Sequence, residues 1–282
     1  MKKAVVWTIV IPCFNKGNLV LEALASVQAA VGTTTYEIII VDDESSDPIT
    51  LLVLETVKKQ EHVTVIRQKN VGLSGARNTG IAHSSGTYVF FLDNDDVISN
   101  NFLELTERTL NEHPEASFTY PDTVFFGERE GLRQAQPFDA ARLQINNYIP
   151  SACVFRGEVI RTFRYDTTFP ALEDWDMLLT LLEAGHTGVP TRGAFLFYRI
   201  IKKTSLTTEY SQNNKWVELL NSVRAKHGLL GKSSSRQQDF LLYKVYPLLA
   251  PIVLALQKRR FQQTLRNHHY LHHEYTRLTH QS

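Results

Sequence analysis

The 282-residue sequence is poor in cysteine, with only Cys13 and Cys153. Two cysteines outside any CxxC pair make no disulfide scaffold, and they point to a reducing compartment. Net charge is nearly absent: 30 Lys and Arg face 29 Asp and Glu, leaving +1. No global basic field therefore argues for nucleic acid as a partner. Long apolar runs are missing as well. The nearest, Phe240 to Leu256, contains Lys244, Pro247 and Pro251 and falls short of a spanning helix. Two common nucleotide-binding motifs are also absent. No GxGxxG follows the first apolar run, which argues against a dinucleotide dehydrogenase, and no Gly-Lys-Ser/Thr follows Gly72, which excludes a P-loop.

What remains is ordinary globular composition, 43% hydrophobic and 21% charged, which excludes collagen-like, low-complexity and wholly disordered chains. The length fits one large domain, or one domain with an appendage. Charge is unevenly spread. Gly231 to Ser282 carries a net +6 and five of the ten histidines, so the preceding body carries −5. Lys2 and Lys3 before the apolar run Ala4 to Pro12 imitate a signal peptide. No small-x-small cleavage site follows, and the run reads as a buried first strand.

The first half alternates strand and helix patterns. Val5–Pro12, Tyr36–Asp42, Val63–Arg67 and Thr87–Leu92 read as strands. Leu19–Val31, Pro48–Gln60 and Ser74–Ser84 read as helices, the second capped by Asp47 with Pro48 in its first turn. This alternation predicts an α/β fold, a mostly parallel sheet sandwiched by helices. The strands are continuous apolar runs, as expected where both faces are covered. Further on, Ala116–Gly127 reads as strand and turn, Phe138–Phe155 as a helix leading into a strand, Glu173–Ala184 as an amphipathic helix and Phe195–Ile201 as a strand. Gly228–Ser235 reads as a linker. The expected division is a catalytic domain over 1–228, with halves of about 1–115 and 116–228, and a helical, basic C-terminal extension over 229–282.

Ligands of open parallel sheets bind beyond the carboxyl ends of the strands. Here those ends carry Pro12-Cys13-Phe14-Asn15-Lys16, then Asp42-Asp43-Glu44, then Gly72 through Arg77 and Asn78, and finally Asp93-Asn94-Asp95-Asp96. Clustered carboxylates repel unless a cation or protons neutralise them. Mg²⁺ takes one or two carboxylates together with substrate phosphates. The bland alternative is an Asp-rich turn. An EF-hand is excluded, since Gly and Glu are missing at its sixth and twelfth positions. Glu173-Asp174-Trp175-Asp176 opens a helix. It reads either as acids favoured by the helix dipole or as a general base at a cleft rim.

Taken in order, Ile11-Pro12-Cys13-Phe14-Asn15, Val41-Asp42-Asp43, Asn70-Val71-Gly72 with Ala76-Arg77-Asn78, Phe91-Leu92-Asp93-Asn94-Asp95-Asp96 and Glu173-Asp174-Trp175-Asp176 resemble the family 2 inverting glycosyltransferases. The resemblance covers roughly Val5 to Thr207. It implies a glycosyltransferase A-type fold with a DxD motif. It also implies a nucleotide-sugar donor, most often a UDP-sugar, and a saccharide or lipid-linked saccharide acceptor, as in bacterial surface polysaccharide or lipopolysaccharide assembly. By that resemblance Pro12, Asn15 and Asn94 line the donor pocket, and Asp43 contacts the base. Arg77 lies near the nucleotide, Asp93 holds the ribose and Asp95 ligates Mn²⁺ or Mg²⁺. Asp174 is the catalytic base with Glu173 in support, and Lys16 reaches the pyrophosphate. Many members carry a His soon after the Tyr-Arg that matches Tyr198-Arg199. This chain has Lys202 and Lys203 there, as substitute phosphate contacts.

Two rivals follow from the same residues. A non-catalytic nucleotide-sugar scaffold would need no base, and Asp174 argues against it. A sugar-nucleotide pyrophosphorylase would carry a Gly-rich, Arg-containing loop after the first strand, and Cys13–Leu19 has one Gly and no Arg. The tail reads as a helical cap or dimer interface, with peripheral contact to an anionic membrane as the alternative. The expected location is the cytoplasm, at the inner face of the membrane if the tail binds lipid. His268, His269, His272 and His273 read as a solvated face rather than a metal site.

Overall fold

A computed structural model of the chain describes residues 4–201, 215–230, 262–263 and 275–279. The expected linker, the apolar stretch 240–256 and most of the C-terminal extension lie outside the described residues.

One mixed sheet organises the protein. Its first four strands are β1 (Trp7–Cys13), β2 (Tyr36–Asp42), β3 (Val63–Arg67) and β4 (Tyr88–Phe91). β1 pairs in parallel with β2 and β4, and β2 pairs in parallel with β3. The reason is visible in the side chains. Strand residues alternate between faces with period two, and here both sets are apolar. Trp7, Ile9 and Ile11 of β1, Ile38 and Ile40 of β2, and Phe90 of β4 enter one core. Val10, Ile39, Val41, Val89 and Phe91 enter the other. A strand with no polar face needs a layer on each side.

Helices supply both layers. α1 (Leu19–Ala30) and α2 (Pro48–Val57) cover the first face together with α4 (Phe102–Glu112), while α3 (Gly72–His83) covers the second. α2 begins as expected: Asp47 Oδ2 accepts from Thr50 N at 2.7 Å, with Pro48 just inside. Gly80 lets α3 press onto β1, since a Cβ there would fall 2.2 Å from Val10 Cγ1.

The parallel order ends at β4. β5 (Val97–Ile98) pairs antiparallel with β9 (Gly188–Ile200). β8 (Val154–Arg156) pairs antiparallel with β4 and β6 (Phe118–Gly127). β7 (Gly131–Arg133) hangs antiparallel on β6, and β6 and β9 run parallel. The strand order is therefore β3-β2-β1-β4-β8-β6-β9-β5. The strand expected at Phe195–Ile201 is the last part of the thirteen-residue β9. The helix expected from Phe138 shrinks to α5 (Ala140–Ile145), because Asp139 caps it and Asn146 is extended. A one-turn helix, α6 (Gly157–Ile160), follows β8. α7 (Glu173–Glu183) and α8 (Lys215–Lys226) complete the second face. Trp175 anchors α7, burying its ring and donating Nε1–H to Leu143 O at 2.7 Å. Among the described residues no helix is long and apolar enough to cross a membrane.

Candidate functional site

The carboxyl ends of β1, β2 and β4, with the loop after β3, open on a cavity of about 910 Å³. Pro12, Lys16, Asp43, Arg77, Asp93, Asn94, Asp95, Glu173 and Asp174 all line it. Residues 162 positions apart in the chain thus share one space because parallel strands end on one edge.

Asn15 is the exception among the expected donor residues. It is not in the wall. Its backbone takes a left-handed turn, φ +50°, and its amide Oδ1 accepts from Ser46 N and Asp47 N at 2.8 Å each. Asn15 clips the loop after β1 to the loop after β2. Lys202 and Lys203 lie outside the described residues.

Asp43 organises the next wall. Its carboxylate accepts from Val71 N at 3.0 Å, Gly72 N at 2.8 Å and Gln68 Nε2 at 2.8 Å. Gly72 supplies the positive φ, +81°, that this turn needs. Asp42, by contrast, faces away and pairs with Arg67 at 2.6 Å.

The acidic turn after β4 splits by role. Asp96 is buried and accepts from Arg199 N at 2.9 Å. Burial, with Asp95 and Asp93 adding to it, holds its carboxyl well above the usual range. Arg199 also donates Nε–H to Asp95 O and reaches Glu22. Tyr198-Arg199 at the end of β9 thus pins the turn. Asp93 and Asp95 keep their side chains open to the cavity, at 27% and 22% exposure. Asp95 Oδ2 lies 2.6 Å from Lys16 Nζ. An ammonium therefore already sits against the carboxylate to which the family resemblance assigns a divalent cation. Two open carboxylates beside a displaceable cation suit a hard metal that takes its remaining oxygens from phosphates and water. Among the described residues no three His, Cys, Asp or Glu side chains form a complete metal cage.

Arg77 joins this turn to the opposite wall. Its Nη2 lies 2.9 Å from Asp93 and its Nη1 2.6 Å from Glu173 Oε1. It is 1% exposed. Burial works against its charge, but Asp93 and Glu173 more than offset this and raise its pKa.

The opposite wall carries the acids of α7. Leu172, with φ +64°, turns left-handed just before the helix, so the first turn presents Glu173 and Asp174 to the cavity. Non-glycine residues rarely adopt this conformation, and it recurs where a site imposes it. Asp174 Oδ1 accepts from Trp175 N at 2.8 Å, and Oδ2 accepts from Asn147 Nδ2 at 3.0 Å. Burial pushes its pKa up; Arg77, Trp175 N and Asn147 oppose the shift. Burial also moves Glu173 up, to about 7, against the pull of Arg77. Neither cysteine is a plausible nucleophile, since burial, and then Asp42, push Cys13 up to about 12 and burial raises Cys153 well above its ordinary value.

Sequence reasoning missed Arg133, Asn147 and Trp216, which also line the cavity. They lie in the half where no motif is visible, on a three-residue strand, in a loop and on α8.

The comparisons with known proteins speak to the family and the fold. The chain is 34% identical over 128 residues to Glycosyltransferase GlyA of Streptococcus pneumoniae, covering 44% of this chain and 18% of that protein. It spans only 15% of a Rickettsia bellii uncharacterized glycosyltransferase, also at 34% identity. Among the first relatives, therefore, it matches a fifth of their length or less. A Haemophilus influenzae uncharacterized glycosyltransferase is 24% identical over 267 residues, covering 89% of this chain and 86% of that one. In structure, the chain resembles Staphylococcus aureus TarS 1–349 in complex with UDP-GlcNAc, with a TM-score of 0.64 at 16% identity, over 78% of this chain and 66% of that one. That likeness speaks for the fold, which is of the glycosyltransferase A type. Residues 8–168, more than half of the chain, match the model of Glycosyl transferase family 2, and the chain belongs to that family.

Proposed function

We propose that the chain is an inverting glycosyltransferase. It moves a sugar from a UDP-sugar to an acceptor hydroxyl in the assembly of a bacterial surface polysaccharide. The observation that carries this reading is the Arg77 bridge. Asp93, on the donor side, and Glu173, beside the candidate base, hold one buried guanidinium between them. The donor turn and Asp174 therefore belong to one rigid site. The solved complex of the structurally similar TarS contains UDP-GlcNAc, and the teichoic acid protein GgaB of Bacillus subtilis is 22% identical over 220 residues. The first favours a UDP-sugar and the second a cell-surface product.

In this mechanism Asp43 and the Gly72 loop receive the base and Asp93 the ribose. Asp95 would hold Mn²⁺ or Mg²⁺, which supplies positive charge at the departing diphosphate. Lys16 turns from Asp95 to the phosphates. Asp174 takes the proton from the acceptor hydroxyl as that oxygen forms its bond to the anomeric carbon. The bond from that carbon to the diphosphate oxygen breaks on the opposite face, and configuration inverts. Burial makes Asp174 more basic than an ordinary aspartate, while Asn147 and Trp175 N keep its two oxygens oriented.

Thermal denaturation with UDP, GDP, dTDP and CDP, each with and without Mn²⁺, tests the donor site. Ligand at 100 times its dissociation constant stabilises by about 2.7 kcal/mol. A Mn²⁺-dependent rise with UDP that Asp95→Asn abolishes is the expected result. A flat response to all four nucleotides from folded protein would move the reading to a scaffold that kept the fold.

A further inference from the structure

Among the described residues four cations line the cavity, and three are matched. Lys16 meets Asp95, Arg77 meets Asp93 and Glu173, and Arg199 meets Glu22. Arg133 differs. Among the described residues it has no carboxylate partner, and its recorded contact is the Phe125 ring, 5.8 Å from guanidinium to centroid. The same ring takes Arg129 at 5.4 Å, and packs edge-on against Tyr198, whose side of the cavity it backs, at 5.9 Å. Glu130, the acid between them in the hairpin, lies close enough to Tyr275 to act on its hydroxyl.

A guanidinium laid on an aromatic face keeps its in-plane N–H donors free and holds them in one orientation. Two such groups on one ring repel each other, and an oxyanion between them relieves that repulsion. Arg133 stands exposed at the end of β7. Arg129 on the same ring acts against its charge and Asp174 favours it. Its position says what would pair with it. β7 belongs to the half of the chain that carries the base, and the acid acting on Arg133 is Asp174, not Asp95 or Asp43 on the donor side.

We propose that Arg133, with Arg129 behind it, binds a phosphate or carboxylate carried by the acceptor, so that the enzyme selects anionic acceptors. The inference rests on the glycosyltransferase reading, because it takes the hydroxyl to lie at Asp174. A bidentate Arg–oxyanion contact places the neighbouring hydroxyl at the base.

The experiment measures UDP release from the full chain with Mn²⁺ and a UDP-sugar donor. It pairs anionic acceptors with neutral ones: glycerol 3-phosphate with glycerol, and methyl glucuronide with methyl glucoside. The expected preference for the anionic member is about tenfold to a hundredfold in kcat/KM, the range of a charge-assisted hydrogen bond. Whichever pair shows the larger preference separates phosphate from carboxylate. Arg133→Gln should bring the preference close to one, Arg133→Lys should restore part of it, and Arg108→Gln, exposed on α4, should leave it intact. Equal losses on neutral and anionic acceptors, or a loss appearing wholly in donor KM, would overturn the proposal and assign Arg133 to the donor diphosphate. A wild-type enzyme without preference would overturn it as well. Inorganic phosphate added to the UDP- and Mg²⁺-loaded protein gives a readout independent of turnover. A melting shift present in wild type and absent from Arg133→Gln supports the site, and equal shifts refute it. If UDP itself neither binds nor is released, the glycosyltransferase reading fails instead, and the two failures are told apart.

Discussion

Arg77 Nη1 lies 2.6 Å from Glu173 Oε1, joining α3 to the first turn of α7 across 96 residues of sequence. The same guanidinium holds Asp93 at 2.9 Å, and Arg77 Nε is buried without a partner. A buried ion pair adds little over a well-packed apolar replacement, yet removing one partner strands a buried charge. Arg77→Gln would leave the buried Glu173 facing Asp93 with no cation between them. The expected cost is about 3–5 kcal/mol in denaturant unfolding. Arg77→Lys should not restore it, since one ammonium does not reproduce the fork that spans two carboxylates. A loss below 1 kcal/mol would mean that the bridge does not hold the two walls together.

Asp174 separates chemistry from binding. Asp174→Asn keeps the hydrogen-bonding shape but cannot take a proton. General-base catalysis contributes about 10²–10⁴-fold, so kcat should fall within that range. UDP affinity should change little, because the proposed donor contacts lie on the other wall. UDP titration beside steady-state rates reads both. An equal loss of affinity and rate would return Asp174 to the structural role of a helix-start acid.

Asn147 makes a prediction in pH. Its Nδ2–H favours the ionised form of Asp174, against the burial that disfavours it. As the proposed base, Asp174 works deprotonated, so activity is lost as pH falls through its pKa, which burial holds above the ordinary aspartate value. Removing the donor with Asn147→Ala leaves burial less opposed and raises that pKa further. The acid limb of kcat/KM should therefore move to higher pH, while rates well above the limb stay closer to wild type. An unmoved limb would mean that Asn147 only packs.

Much of the donor half was legible because burial on both faces wrote it into the chain as uninterrupted apolar runs. The motif residues then fell at strand ends, where topology gathers them. Asn15 shows the limit. Its type and place match the family pattern, yet its amide is taken up by two backbone N–H groups of the next loop. The Lys16–Asp95 pair spans 79 residues and has no local signature at all. In the second half the site comes from short pieces. β7 has three residues, too few to show a period. α4 was missed although Phe102, Thr106 and Leu110 repeat at helical spacing; no element was read between the acidic turn and Ala116.

The last prediction concerns the clamp behind the base helix. His227 Nε2 lies 2.8 Å from Asp176 on α7, and its Nδ1 lies 2.8 Å from Glu183. Lys226 also reaches Asp176, and Asp166 as well. The imidazole is 2% exposed. Burial alone would lower its pKa, but Asp176 and Glu183 outweigh burial and raise it above 6.5. A histidine with a raised folded pKa binds its proton more tightly in the folded state. Its stabilisation is complete below the unfolded pKa and is lost as pH rises through the folded value. Wild type should thus lose stability in urea as pH climbs from about 6.5, the ordinary histidine value, to alkaline conditions. His227→Gln, which carries no proton to lose, should show a flatter dependence over that window. Because α7 also carries Asp174 at its start, the two profiles need separate assays: unfolding for His227 and kcat/KM for Asp174. A variant whose stability falls with pH as steeply as wild type would mean that His227 is neutral in the folded protein and that Lys226 alone balances Asp176.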